Sequence, residues 1–435
     1  MNKIDWDNNT KICSLAWGHL HIDTTSRVAP CCQAMHIDES KLTKDIALFS
    51  IHDVNISDAI NSPGMKSMRK AMLNNEEHYL CSMCDRMENI GVQSPRENHN
   101  TWNLHKVKDI VEKTNDDGSI NTSDFKPFST DLRMSNLCNL KCRSCSGYAS
   151  STWYDEEKII VRDFPELSRH SPTETKIIKH DFTEQAKTYL DNVDYMYWAG
   201  GEPFILKEHY EFLQHLIDTD KAKDIKLAYN TNLTVTEYKK KPIYENYFKH
   251  FKQVMIQGSI DGMEDVAEYM RTGSTWNQLK NNFNYFHNIE KQTNGHLIIR
   301  PCITVSLMNI HHLPDFIKYC FENDWVEVNI PVIVFNFMDN YSSLCISNLP
   351  ELEKDLIKKK FEDLYVWLKD FNSPDTIKCI DKIIQIMYQE QLDNDEIAKL
   401  QNNAVYELNA YDITANLDWK KSLPLVADYF ERYNV

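Results

Sequence analysis

Between about Thr130 and Phe335 the chain alternates short apolar runs with longer stretches of helical period. The runs Asp131–Ser135, Tyr195–Ala199, Ile225–Tyr229, Val254–Ser259, Leu297–Val305 and Val326–Val334 have strand length, and helices are expected at Lys207–Asp218, Trp276–Lys291 and His311–Asn323. Strands separated by helices predict a parallel sheet of the α/β class, either doubly wound or a barrel. Both architectures collect their chemistry at the carboxyl ends of the strands, so polar motifs directly after each run deserve scrutiny.

Outside that core the period changes. Near the N-terminus a helix is expected over Ser67–Asn74, after the breaker Ser62-Pro63-Gly64, with Met65, Met68 and Met72 on one face as a core stripe. The polar stretch Lys113–Ser123, with the turn signal Asp117-Gly118, reads as a linker. Residues from Pro350 to Val435 are helical in pattern, and Ile380, Ile383, Ile384 and Met387 are spaced for one buried face. The expected organisation is a module over residues 1–112, a linker over 113–128, an α/β core over 129–345 and a helical region over 346–435.

Charge narrows the partners. The 435 residues carry 64 acidic and 48 basic side chains, a formal charge of -16, which argues against nucleic acid or an anionic membrane as partner. No apolar stretch opens the chain as a secretory signal, and the longest apolar run, Val328 to Phe335, contains Asn329 and Pro331 and is too short to span a bilayer. A cytoplasmic location is expected. In a reducing compartment, clustered cysteines point to metal or redox work rather than to disulfides. Of the twelve cysteines, eight lie in the first third, whereas Cys302, Cys320, Cys345 and Cys379 are scattered among apolar neighbours and read as small core residues.

After the first expected strand stands Cys138-Asn-Leu-Lys-Cys142-Arg-Ser-Cys145. Three thiolates can bind three irons of a cubane cluster and leave the fourth open to a small molecule, whereas structural zinc wants four ligands and would need a remote partner. After the second strand comes Gly200-Gly201-Glu202-Pro203, in which two glycines permit close backbone approach and the proline stiffens the turn. Asn230-Thr231-Asn232 follows the third strand, and Ser259-Ile260-Asp261-Gly262 the fourth, with Arg271-Thr272-Gly273 beyond it. Hydroxyls and carboxylates there suit ribose hydroxyls, and a guanidinium matches a carboxylate bidentately.

This set resembles the radical S-adenosylmethionine superfamily. The resemblance implies a partial (β/α)6 TIM-like barrel, a [4Fe-4S] cluster on Cys138, Cys142 and Cys145, and S-adenosylmethionine held by Gly200, Gly201, Glu202, Pro203, Asn232, Ser259, Asp261 and Arg271. It places the tetrapeptide at the cofactor's amino group, Ser259 at its ribose and Arg271 at its carboxylate. Asn232 and Asp261 equally suit turn or cap roles, and Asn309 has a weaker claim. The sequence departs from the pattern in two places. Ser144 stands where many members have an aromatic residue, and Ile303-Thr-Val-Ser-Leu lacks the glycine-containing adenine motif, leaving adenine to apolar side chains such as Val305 and Val332.

The N-terminal cysteines form a second group. Cys13, Cys31 and the pair Cys81-Ser-Met-Cys84 resemble the auxiliary-cluster module called twitch, a shortened SPASM domain. Its pattern has a glycine five residues before the second cysteine, where this chain has Ser26. A strand pair over Leu15–Ile22 and Arg27–Pro30 would bring Cys13 toward Cys31 to give a second [4Fe-4S] cluster on Cys13, Cys31, Cys81 and Cys84. The same four thiols also describe a structural zinc knuckle, which stays open, as does the role of Cys32. His19, His21 and His36 read as packing or surface residues rather than ligands, and Trp17 and Trp198 as packing residues rather than electron relays.

By resemblance, the reaction is one-electron cleavage of S-adenosylmethionine to a 5′-deoxyadenosyl radical that removes a substrate hydrogen, with the auxiliary cluster accepting the surplus electron. The expected partners are a low-potential donor such as flavodoxin or ferredoxin and a peptide or protein side chain as substrate. A small-molecule oxidoreductase and a zinc-stabilised binding protein are the alternatives. Glu202, Asp261, Asp339 and Tyr341 are unranked acid–base candidates.

Overall fold

The computed structural model describes residues 4–35, 44–89, 93–167, 185–189, 192–326, 334–337, 343–371, 373–389 and 393–433. The strands along them are β1 (His19–Ile22), β2 (Val28–Ala29), β3 (Ser129–Leu132), β4 (Lys141–Cys142), β5 (Tyr195–Trp198), β6 (Lys226–Thr231), β7 (Glu237–Tyr238), β8 (Lys241–Pro242), β9 (Gln253–Ser259), β10 (Arg271–Thr272), β11 (Leu297–Val305) and β12 (Val334–Phe337). The chain divides into two compact units, one of residues 1–137, 175–228 and 244–253, the other of residues 138–174, 229–243 and 254–435.

In the first unit β3 pairs in parallel with β1 (His19↔Ser129 to Ile22↔Leu132) and with β5 (Ser129↔Tyr195 to Leu132↔Trp198), while β1 takes β2 antiparallel. Because strand side chains alternate, Leu20, Ile22, Leu132, Met196 and Trp198 share one face, and all are buried. Trp198 meets His209 and Phe212 edge-on, both on the Lys207–Asp218 helix, which has the bounds its period predicts. The opposite face carries His19, His21, Ser129 and Asp131, with His21 Nδ1 3.0 Å from Asp131 Oδ2. Trp17 is also a packing residue, its indole N–H donating to Thr114 Oγ1 at 2.8 Å.

Two local expectations are corrected in this unit. Leu15–Gly18 is a helical turn, and the strand starts only at His19. Ser62-Pro63-Gly64 begins the helix Pro63–Leu73 instead of breaking the chain before it, because proline at the first helical position lacks only an N–H that would be unpaired anyway.

In the second unit β9, β11 and β12 run parallel, with Val254↔Leu297 and Cys302↔Val334 among the paired residues. Seven of the nine residues expected as the strand Leu297–Val305 are buried, with only Ile298 and Thr304 half-buried, as a sheet covered on both faces requires. The expected strand Val326–Val334 lies largely outside the described residues. The C-terminal region forms the helices Glu351–Leu368, Pro374–Met387, Asn394–Ala415, Trp419–Ser422 and Pro424–Arg432. Ile380, Ile383 and Met387 are fully buried and Ile384 is half-buried. Cys302, Cys320 and Cys345 are core residues, and Cys379 is half-buried. Both units have the α/β character and parallel pairing that the sequence period predicts.

Candidate active site and cluster sites

In the first unit, Cys13, Cys31, Cys81 and Cys84 line one small cavity, partly open to solvent. Its other walls include Leu15, Pro30, Met68, Met72 and Arg96. The helix Pro63–Leu73 therefore turns two of its three stripe methionines toward the thiols, and the third, Met65, is plain core. Neighbouring Cys32 does not line the cavity. Its electrostatic neighbours are Arg133 and Asp131, so adjacent thiols face different surroundings.

Burial pushes the Cys13 thiol up to about 11 and raises Cys31, Cys81 and Cys84 as well, while the Arg96 guanidinium works in the opposite direction at Cys13, Cys81 and Cys84. Arg96 is held by Asp85 (2.6 Å) and Glu88 (2.5 Å). No cysteine spacing announces Arg96. The sequence trace it leaves is the capping box Ser94 to Glu97 that starts its helix. Among the described residues no group of three or more His, Cys, Asp or Glu side chains converges as one metal ion would need.

A left-handed turn sets the geometry of this hairpin. Ser26 adopts φ 66°, with its N–H donating to Asp23 O at 2.8 Å and its carbonyl accepting from Ile51 N–H at 2.8 Å. That conformation costs a residue with a Cβ about 1–2 kcal/mol, which is why glycine is the usual occupant. A hydrogen bond between Ser26 Oγ and His52 Nε2, at 2.9 Å, offsets part of it.

The tetrapeptide Gly200-Gly201-Glu202-Pro203 also belongs to the first unit. The Gly201 and Glu202 N–H groups donate to Ser135 O (2.9 Å) and Leu137 O (2.8 Å), in the stretch that leads to Cys138. Gly200 has φ 111°. The close approach that needs glycine is therefore to the protein's own backbone. Glu202 is buried, and its carboxylate accepts Phe204 N–H at 3.0 Å and caps the turn that Pro203 opens.

In the second unit, the cysteine loop is pinned by main-chain pairing. β4 pairs antiparallel with β10, setting Cys142 opposite Arg271, and Arg143 N–H donates to Met270 O at 2.8 Å. Asn232 Nδ2 donates to Cys138 Sγ at 3.8 Å and to Asn139 Oδ1 at 2.8 Å. Arg271 donates through Nη1 to Cys142 Sγ at 3.6 Å, and pairs through Nε (2.9 Å) and Nη2 (3.0 Å) with Asp261. Cys142 is buried, Cys138 and Cys145 half-buried. Burial raises the Cys142 thiol and Arg271 opposes that shift. Thiols on one loop, two of them receiving N–H donors, suit thiolate ligation of a cluster.

The remaining expected residues take up separate places in this unit. Ser259 ends β9, half-buried, opposite Cys302. Asn309 donates to Asp261 O (2.9 Å) and Thr304 O (3.0 Å), so it braces the loop. Val305 is buried in β11. His36, Val332, Asp339 and Tyr341 lie outside the described residues. Arg143, overlooked within the cysteine motif itself, is fully buried among Trp153, Tyr269 and Tyr411, its guanidinium carbon 5.1, 5.7 and 5.1 Å from their ring centres.

The family models agree with this layout. Residues 132–301 match the radical SAM superfamily and residues 13–85 match the SPASM iron–sulfur cluster-binding domain. The chain carries a radical SAM domain over residues 132–301 and an N-terminal SPASM-type domain over residues 13–85. These domains imply S-adenosylmethionine and iron–sulfur clusters as cofactors. Comparison with curated proteins found no match. Solved structures similar to the chain include SuiB of Streptococcus suis bound to S-adenosylmethionine, 14% identical with TM-score 0.39 over 71% of this chain and 60% of that one. Another is anSMEcpe with bound AdoMet, 17% identical with TM-score 0.38 over 56% of this chain and 60% of that one. The matches thus span about 60% of those proteins' length. Among the described residues no helix is long and apolar enough to cross a membrane.

Proposed function

We propose that the protein is a radical SAM oxidoreductase that removes a hydrogen from a peptide or protein side chain and passes the surplus electron to an auxiliary cluster on Cys13, Cys31, Cys81 and Cys84. The observation that carries this reading is the single cavity lined by those four thiols. A zinc ion at Zn–S of about 2.3 Å would draw four sulfurs onto one point, whereas a cubane needs them spread around a volume. Cys31, not Cys32, is the fourth ligand.

When bound at Cys138, Cys142 and Cys145, the cluster supplies, with S-adenosylmethionine, the hydrogen-abstracting radical chemistry, and a flavodoxin or ferredoxin supplies its electron. The chain's own part is orientation. Gly200 and Gly201 fix the turn after β5 against the stretch before Cys138, Glu202 and Pro203 hold its shape, Asn232 steadies the Cys138 sulfur and Ser259 faces the cofactor's ribose.

The test is iron content together with product. Anaerobically reconstituted protein should hold about eight irons per chain, falling to about four in Cys31→Ala and in Cys81→Ala but staying near eight in Cys32→Ala. Dithionite-reduced protein given S-adenosylmethionine should release 5′-deoxyadenosine. Zinc in place of the N-terminal irons, or no deoxyadenosine, would sink the reading.

A further inference from the structure

Arg271 is expected from the sequence to hold a cofactor carboxylate, yet its donors are directed elsewhere. A carboxylate is gripped best by two parallel N–H groups of the guanidinium fork. In this protein Nη2 donates to Asp261 Oδ1 at 3.0 Å, and Nε lies 2.9 Å from Asp261 Oδ2 as an ion pair without the alignment of a second hydrogen bond, so the Asp261 carboxylate stands against that fork edge. Nη1 reaches Cys142 Sγ at 3.6 Å.

Both ends of the pair are anchored. Arg271 sits directly across the β4–β10 ladder from Cys142, and opposed residues of an antiparallel pair project to the same face. The guanidinium is thereby delivered over the sulfur by backbone pairing, not by side-chain chance. Asp261 Oδ1 accepts Thr304 N–H at 2.8 Å, and its main-chain carbonyl accepts Asn309 Nδ2. Asp261 is 1% and Arg271 7% exposed, so water does not compete for these groups. A buried pair of this kind persists when further hydrogen bonds satisfy it, and here they come from β11 and the loop after it.

We infer that Arg271, oriented by Asp261, is a positioning residue for the reactive cluster, donating a charged hydrogen bond to the Cys142 thiolate and setting the cluster's reduction potential. This rests on the proposed cluster at Cys138, Cys142 and Cys145. A donor to a ligating sulfur stabilises the reduced cluster, which carries one more negative charge, so the bond raises the potential. Asp261 limits the effect by neutralising part of the guanidinium charge. Removing either partner should therefore move the potential in opposite directions.

The experiment is an EPR-monitored redox titration of the anaerobic, reconstituted full chain without S-adenosylmethionine, followed by measurement of S-adenosylmethionine affinity from the change in the EPR signal. The double variant R271Q/D261N leaves no unpaired buried charge and should hold its cluster. Its ratio of reduced to oxidised cluster at fixed potential should fall about tenfold, which is about 59 mV for one electron. D261N should shift the potential upward, while affinity for S-adenosylmethionine changes by less than the reduction ratio in either variant. Should the double variant lose its cluster, R271K replaces it, keeping the charge but not the fork, and a downward shift is again expected. An unchanged potential in the variant that retains its cluster, with weakened S-adenosylmethionine binding, overturns the inference and restores the carboxylate role. Wild-type protein with no reducible cluster would instead refute the proposed function itself.

Discussion

A Cβ on Gly201 would lie 2.0 Å from the carbonyl oxygen of Leu137, the residue before Cys138 in the chain. The obstacle is backbone, and the same carbonyl accepts Glu202 N–H at 2.8 Å, so no side-chain rotation relieves it. Gly201→Ala must displace either the turn after β5 or the stretch entering the cysteine loop. Misplacement of about 1 Å at a reacting centre costs on the order of 10²-fold in rate. Deoxyadenosine release by Gly201→Ala should fall by that order, with irons per chain measured alongside. Wild-type rates would show that the contact is slack.

Ser26 offers a comparison of two small substitutions. Its φ of 66° favours glycine, while its hydroxyl is committed to His52. Ser26→Ala keeps the strained backbone and loses the hydrogen bond, whereas Ser26→Gly loses the bond and relieves the strain. The glycine variant should be more stable than the alanine variant by about 1–2 kcal/mol. Urea unfolding of both checks this, and equal midpoints would remove the strain from the account.

The period of apolar residues gave most strands and crossover helices within a few residues because their burial is one-sided or complete. Leu297–Val305 and Lys207–Asp218 are cases in which packing and period agree. Leu15–Gly18 misled because it is buried on every side, and a short all-buried run has no period to read. Cysteine spacing located both thiol groups, since ligands on a loop must be close in sequence. The five-residue offset from Ser26 favours Cys31 over Cys32, but no spacing shows that Cys32 has Arg133 and Asp131 as its electrostatic neighbours. Nor could spacing find Asp261 as the partner of Arg271, because a pair ten residues apart is joined only by the β9-to-β10 connection.

Acid stability should report on His209. It is fully buried, meets Trp198 and Tyr210 edge-on, and burial lowers its pKa to about 3. The unfolded chain, with histidine near 6.5, binds a proton that the folded chain does not, so stability is complete above pH 6.5 and is lost as pH falls toward 3. Between pH 7.5 and pH 5 this one group contributes a loss of about 2 kcal/mol. H209F has no such proton to bind. The pH-dependent loss of unfolding free energy over that range should be smaller in H209F by about that amount, and identical pH profiles would contradict the burial argument.

The C-terminal helix Asn394–Ala415 has a role at the cysteine loop, reached through Arg143. Tyr411 covers one side of the Arg143 guanidinium, Trp153 and Tyr269 contribute two other aromatic faces, and Glu156 Oε2 lies 3.6 Å from Nη1. The same helix reaches both neighbours again, with Asp412 accepting the Tyr269 hydroxyl at 3.2 Å and Thr414 donating to Glu156 at 3.3 Å. Truncating Tyr411 to alanine therefore opens a cavity beside a buried cation adjoining Cys142. A cost of about 3–5 kcal/mol is expected from the lost ring, of which the desolvated cation–π contact supplies about 2. Tyr411→Phe retains the ring and forfeits only the hydroxyl's bond to Glu407, about 1–1.5 kcal/mol. If the helix braces the loop, Tyr411→Ala should also lose the Cys138 cluster faster than Tyr411→Phe when both are exposed to a chelator, while the irons assigned to Cys13, Cys31, Cys81 and Cys84 leave at equal rates. Equal loss from both sites would mean that the ring stabilises the unit without holding the loop.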